Sequence, residues 1–129
     1  MSPTYVHLGD DWNLEIVATH RKTVNIGLIW APIFADSAVR FRINDWTAEK
    51  ARRIADECDQ LLAACNERGP YEIRFKTDAT SRVALRSGAH YQPSLIVNSG
   101  DLLIHIRLIH PHAIRVLQDA LREAAEAIA

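Results

Sequence analysis

Recognisable catalytic and metal-binding motifs are absent from this sequence of 129 residues. It has no glycine-rich phosphate loop, no Gly-x-Ser-x-Gly turn that would present a serine nucleophile, and no His-Glu-x-x-His zinc motif. These absences leave open a hydrolase assembled from scattered residues. We expect instead a binding module that is not an enzyme and has no catalytic residue, no metal ligand and no cofactor.

Long apolar runs are also missing. No run approaches the ~20 residues that a membrane-spanning helix needs, and residues 1–7 lack the basic start and apolar centre of a signal peptide. We therefore expect a cytoplasmic protein with no membrane contact. The 48% hydrophobic and 24% charged composition is typical of a soluble domain, and this length predicts a single domain over residues 1–129.

Cysteine is scarce: Cys58 and Cys65 are the only two, and both fall in one predicted helix. At the helical rise they lie about 10 Å apart, which is too far for a disulfide within that helix. The sequence thus favours small buried thiols in a reducing compartment.

Alternating hydrophobic residues predict strands in both halves of the chain. Val39, Phe41 and Ile43 point one way while Arg40 and Arg42 point the other, as in a half-buried strand. A helix is predicted from residue 48 until the Gly-Pro pair at 69–70 ends it. This defines a first repeat at about residues 5–69.

The second half, at about residues 70–129, has the same order of elements. Residues 94–98 and 101–109 read as a hairpin around the Ser-Gly turn at 99–100, and Pro111 suits a first helical position. The second helix then has an apolar stripe of Ala113, Val116, Leu117, Ala120, Leu121, Ala124 and Ile128.

The two predicted helices support an internal duplication. Five residues of the first helix align with five of the second at a constant offset of 62: Ala51, Ile54, Ala55, Cys58 and Leu62 with Ala113, Val116, Leu117, Ala120 and Ala124. The order strands, helix, strands, helix predicts an α+β fold, with a mainly antiparallel sheet and both helices on one side of it.

Basic residues concentrate on the predicted strand faces opposite the core. They are Arg40, Arg42, Arg74, Lys76, Arg82, Arg86 and Arg107. Although the net charge is only −1, a basic sheet face would attract phosphate backbones. The alternative is that these are ordinary solvent-facing charges that discourage strand aggregation.

The repeated strands-then-helix order, with residues 39–66 and 102–128 as its strand-helix pairs, resembles PUR-repeat and whirly-type single-strand nucleic-acid binders. One half also resembles the unit of the positive-cofactor-type coactivator. The resemblance implies single-stranded nucleic acid as a partner, and such binders stack bases on aromatic rings. Here, however, most strand aromatics are in phase with the core face: Trp12, Trp30, Phe41, Tyr71 and Phe75. Phe34 and Tyr91, in predicted loops, remain as stacking candidates.

Four apolar residues lie out of phase with the core: Leu103, Ile109, Ile29 and Ile96. Apolar residues on both faces of a strand indicate burial on both sides, and we predict that these four contribute to a homodimer interface. The same pattern supports an alternative function, a protein-protein interaction module such as a small regulator, inhibitor or immunity-type protein.

Three histidines, His105, His110 and His112, surround Pro111. A zinc site with a distant further ligand is conceivable from this spacing. The competing interpretation is that His110 caps the second helix and the other two lie at the surface.

Overall fold

The computed structural model describes residues 3–32, 38–67, 69–87 and 92–129. Within them, four strands and a helix occur twice in succession. The first repeat comprises β1 (Thr4–Gly9), β2 (Trp12–Ala18), β3 (Val24–Trp30), β4 (Val39–Trp46) and α1 (Ala48–Glu67). The second comprises β5 (Glu72–Thr77), β6 (Ser81–Arg86), β7 (Ser94–Ser99), β8 (Leu102–Arg107) and α2 (His112–Ile128).

Each repeat forms its own antiparallel sheet with the strands in chain order. Strands β1–β4 make sheet A and strands β5–β8 make sheet B. The predicted α+β class and the two strands-then-helix repeats are confirmed. The described strands nevertheless form two sheets, where the sequence predicted one, because β4 and β5 approach each other without joining into a ladder.

Alternation along the strands gives each sheet a buried inner face and an opposite outer face. Leu14, Ile16 and Leu28 are buried on the inner face of sheet A, and Ile73 and Leu85 on that of sheet B. The buried residues of both sheets and both helices belong to one hydrophobic cluster. The core is therefore shared between the repeats.

The two helices pack on different parts of the sheets. Helix α1 contacts β4 of sheet A and β5 of sheet B, whereas α2 leaves sheet B and packs on β1, β2 and β3 of sheet A. The two helices also pack on each other. Helix α2 thus covers the sheet of the other repeat, and α1 lies at the β4–β5 seam. Neither helix is long and apolar enough to cross a membrane.

The structure changes the offset between corresponding residues of the two helices from the predicted 62 to 63. Gln118 is buried, and its Nε2 donates a hydrogen bond of 2.8 Å to the carbonyl oxygen of Ala55, 63 positions earlier. At that offset Ala51 corresponds to Ile114, and Ile43 in β4 corresponds to Ile106 in β8. All four residues are buried. Ala113, Val116 and Ala124, which the sequence placed in the stripe, are only partly buried.

Two seams join the sheets at their edge strands. At the β4–β5 seam, Trp46 Nε1 donates to the carbonyl oxygen of Phe75 at 3.3 Å. At the β1–β8 seam, the amide of Ile109 donates to the carbonyl oxygen of Leu8 at 3.0 Å. A Cβ on Gly9 would lie 3.0 Å from the carbonyl oxygen of Arg107, so glycine allows the close approach there.

Burial of the two cysteines leads to a prediction about their reactivity. Burial raises the pKa of the Cys58 thiol to about 12 and also raises the pKa of Cys65. The nucleophilic thiolate is therefore scarce near neutral pH. We expect an aromatic disulfide reagent at pH ~8 to react with the folded protein on the order of 100-fold more slowly than with protein unfolded in guanidinium. Similar rates in the two states would contradict the buried placement.

Candidate nucleic-acid interface

The outer face of sheet B brings four predicted basic residues onto one surface. Arg74 lies on β5, Arg82 and Arg86 on β6, and Arg107 on β8, and all four are exposed. Ser94 on β7 pairs with Arg86 on one side and with Arg107 on the other. Since neighbouring strands are about 4.8 Å apart, these two arginines stand about 10 Å from each other across the sheet.

Negative charge on this face is limited to one residue. Glu72 is the only carboxylate on the strands of sheet B. It forms salt bridges with Arg82 and, at 3.4 Å, with Arg74. Arg86 and Arg107 have no carboxylate partner among residues 3–32, 38–67, 69–87 and 92–129. These two guanidinium groups are the ones most available to an anionic ligand.

Small residues occupy part of the centre of this face, beside the larger Ile96. Ala84 and Ser94 are small and buried, so they present no protruding side chain. The alternating pattern does place both residues on the outer face, since Ala84 precedes the inward Leu85 and Ser94 precedes the inward Leu95. Small polar and apolar residues carry no binding signature of their own, so the sequence does not identify these two as site residues.

The structure divides the predicted basic residues between two sheets, since Arg40 and Arg42 lie on the outer face of sheet A. Arg40 Nη1 is 2.8 Å from a carboxylate oxygen of Glu15, and Arg42 forms a salt bridge with Asp45. The hydrogen bond from Glu15 raises the pKa of the Arg40 guanidinium. Sheet A therefore offers neutralised pairs, whereas sheet B offers an excess of positive charge.

Lys76 also departs from its predicted face. A β-bulge between Arg74 and Lys76 shifts the register, so that Lys76 pairs with the inward-facing Val83. The extra residue reverses the alternation that holds for Arg74. Lys76 consequently lies on the inner side of sheet B and is not part of the outer basic surface.

The four predicted interface residues differ in exposure. Leu103 on β8 is 70% exposed, and Ile109, which follows β8 at its seam with β1, is 64% exposed. Ile29 is only 5% exposed and Ile96 is half-buried. Leu103 and Ile109 are therefore the two that offer apolar surface to a partner.

The histidines do not converge on a metal site. His105 lies on the outer face of sheet B, while the ring centres of His110 and His112 are 6.3 Å apart. In the described part of the chain, no group of three His, Cys, Asp or Glu side chains could hold a metal ion. Nδ1 of His110 accepts a hydrogen bond of 3.0 Å from the amide of His112, the first residue of α2.

The aromatic residues are mostly internal, as predicted. Phe75 is fully buried, and Trp12, Phe41 and Tyr71 pack partly buried against the core. Trp30 is the exception because it is 39% exposed at the end of β3, where its ring lies 6.3 Å from that of Trp12. The two loop candidates, Phe34 and Tyr91, lie outside the described residues.

Comparison of the chain with protein-family models, with curated proteins and with solved structures gave no match. The likeness to strands-then-helix nucleic-acid binders therefore stays a prediction. The case for a function rests on the geometry and charge of the molecule itself.

Proposed function

We propose that this protein is a non-enzymatic module that binds nucleic acid through the outer face of sheet B. The observation that carries this proposal is the charge on that face, where Arg74, Arg82, Arg86 and Arg107 accompany a single carboxylate, Glu72. Arginine binds phosphate oxygens through a planar fork of donors, and such contacts release condensed counterions from the backbone.

Single-stranded nucleic acid is the form that this surface suits best. An open sheet face can contact unpaired bases as well as phosphates, whereas double helices present their bases inside grooves. His105 lies among the arginines and offers a ring to the bases. The proposed location is the cytoplasm, where buried free cysteines such as Cys58 stay reduced.

Fluorescence anisotropy with labelled oligonucleotides across a salt series tests this function. We expect single strands to bind more tightly than duplexes of the same sequence. If all four arginines contact phosphates, the logarithm of the binding constant should fall with the logarithm of salt concentration at a slope of about −3. An absence of binding at low salt would overturn the proposal.

A second candidate function, protein-protein recognition, is favoured by the exposed Leu103 and Ile109. We propose that these residues bury against a second copy of the chain, and that another protein is the alternative partner, as for a small regulator, inhibitor or immunity-type protein. Large exposed aliphatic side chains are typical of such contacts.

Replacement of Leu103 by glutamate should dissociate the homodimer. Light scattering at micromolar concentration should give about twice the 14.5 kDa chain mass for the unmodified protein and the single-chain mass for Leu103→Glu. The matched control is Val39→Glu, which places the same charge at an exposed apolar position of sheet A and should leave the dimer intact. A single-chain mass for the unmodified protein would exclude the homodimer.

A further inference from the structure

A cleft of about 310 Å³ opens between the inner faces of the two sheets. Leu28, Phe41 and Ile43 line it from sheet A, and Val83, Val97 and Leu102 line it from sheet B. Its volume corresponds to that of about ten liquid waters, at the small end of the range for ligand pockets. Polar residues complete the lining: Lys76, Ser81, Ser99, Arg40 and Arg42. Apolar walls combined with polar groups are the usual form of a small-molecule site.

Lys76 supplies a positive charge to this cleft. The β5 bulge turns it to the inner side, where it pairs with Val83. In the first repeat, β1 also has a bulge, between His7 and Gly9, and the residue after it is a glycine. The second repeat thus has a charged side chain after its bulge, and bulges that re-aim a side chain are over-represented beside functional sites.

The ammonium group of Lys76 is only loosely engaged. Its nearest carboxylate oxygen, on Asp78, is 3.7 Å away. That carboxylate is held in the β5–β6 turn, where it accepts hydrogen bonds from the amides of Thr80 and Ser81, each at 2.8 Å. Arg40 and Arg42 also border the cleft, but their guanidinium groups pair with Glu15 and Asp45 on the outer face of sheet A. Lys76 therefore retains donors for an additional anion.

We propose that the cleft binds a small free carboxylic acid with an aliphatic chain, placing the chain between the two sheets and the carboxylate against Lys76. The apolar lining excludes a fully polar anion, because such a ligand would lose its hydration without compensating contacts. The ammonium in turn favours a carboxylate over a neutral or cationic amphiphile of the same length. This site lies on the inner side of the sheets and is independent of the outer face of sheet B.

Isothermal titration with octanoate, methyl octanoate and octylammonium tests the proposal. We expect saturable binding of octanoate and at least tenfold weaker binding of the other two, because a charge-assisted hydrogen bond is lost. Lys76→Met, which keeps the aliphatic stem, should weaken octanoate about tenfold, and Lys76→Arg should restore most of the affinity. Lys22→Met, in the exposed β2–β3 turn, is the matched control and should bind like the unmodified protein.

Amide chemical shifts of the unmodified protein locate the ligand without any substitution. Octanoate should perturb residues around Val83, Val97 and Leu102, which face the cleft. Failure of octanoate to bind saturably, equal binding by Lys76→Met, or perturbations confined to other surfaces would each overturn the proposal. Oligonucleotide binding by the outer face of sheet B does not bear on this result.

Discussion

Replacement of Trp46 by alanine should lower the free energy of unfolding by about 3–5 kcal/mol. The indole is 1% exposed and meets the ring of Phe75 edge-on, with ring centres 5.2 Å apart. Its Nε1 also donates to the carbonyl oxygen of Phe75. Because Trp46 ends β4 and Phe75 lies in β5, the substitution removes packing and a hydrogen bond at the seam between the sheets.

Trp30→Ala is the matched control for this substitution. Trp30 is also a strand tryptophan, but it is 39% exposed and packs near Trp12 at the far end of β3. We expect a loss of about 1 kcal/mol for it, since less area leaves water. Urea denaturation followed by far-ultraviolet circular dichroism measures both variants. Equal losses would contradict a special role for the β4–β5 seam.

Reversal of charge at Arg86 and Arg107 should weaken oligonucleotide binding on the order of 100-fold at low salt. These two arginines have no carboxylate partner among the described residues, so Arg86→Glu with Arg107→Glu removes two available phosphate contacts and adds repulsion. The slope of the logarithm of the binding constant against the logarithm of salt concentration should become shallower by about 0.7 for each arginine. Fluorescence anisotropy across the salt series measures both effects.

Arg21→Glu with Arg52→Glu changes the net charge by the same amount away from sheet B. Arg21 lies in the β2–β3 turn and Arg52 on α1, and both are exposed. This control should retain binding within a few-fold. Equal weakening of the two double variants would show a response to overall charge, and it would remove the argument for a specific face.

Much of the fold could be predicted from local pattern. Alternation at Val39, Phe41 and Ile43 and the cap at Thr47, whose Oγ1 accepts from the Lys50 amide at 3.1 Å, are local properties of the sequence. The division into two sheets was not predictable, because it depends on which edge strands pair across long separations. Likewise, the buried face of α2 was not predictable in full, because it includes the polar Gln118. The burial of Gln118 depends on its hydrogen bond to Ala55 in the other helix.

The candidate site was predictable only in part. The alternation of side chains along each strand correctly predicted the outer side for four residues: Arg74, Arg82, Arg86 and Arg107. It failed at Lys76, because a single bulge reverses every later position until the register is restored. It also could not separate Arg40 and Arg42 from the others, since alternation defines a face of a strand and not the sheet to which that strand belongs.

Amide chemical-shift mapping with a short single-stranded oligonucleotide tests the central claim most directly. We predict perturbations concentrated on β5, β6, β7 and β8, strongest near Arg86, Ser94 and Arg107 across the outer face of sheet B. They should diminish as salt is added, in step with the loss of affinity. Perturbations centred on sheet A or on the helices, or none at low salt, would contradict nucleic-acid binding by this face.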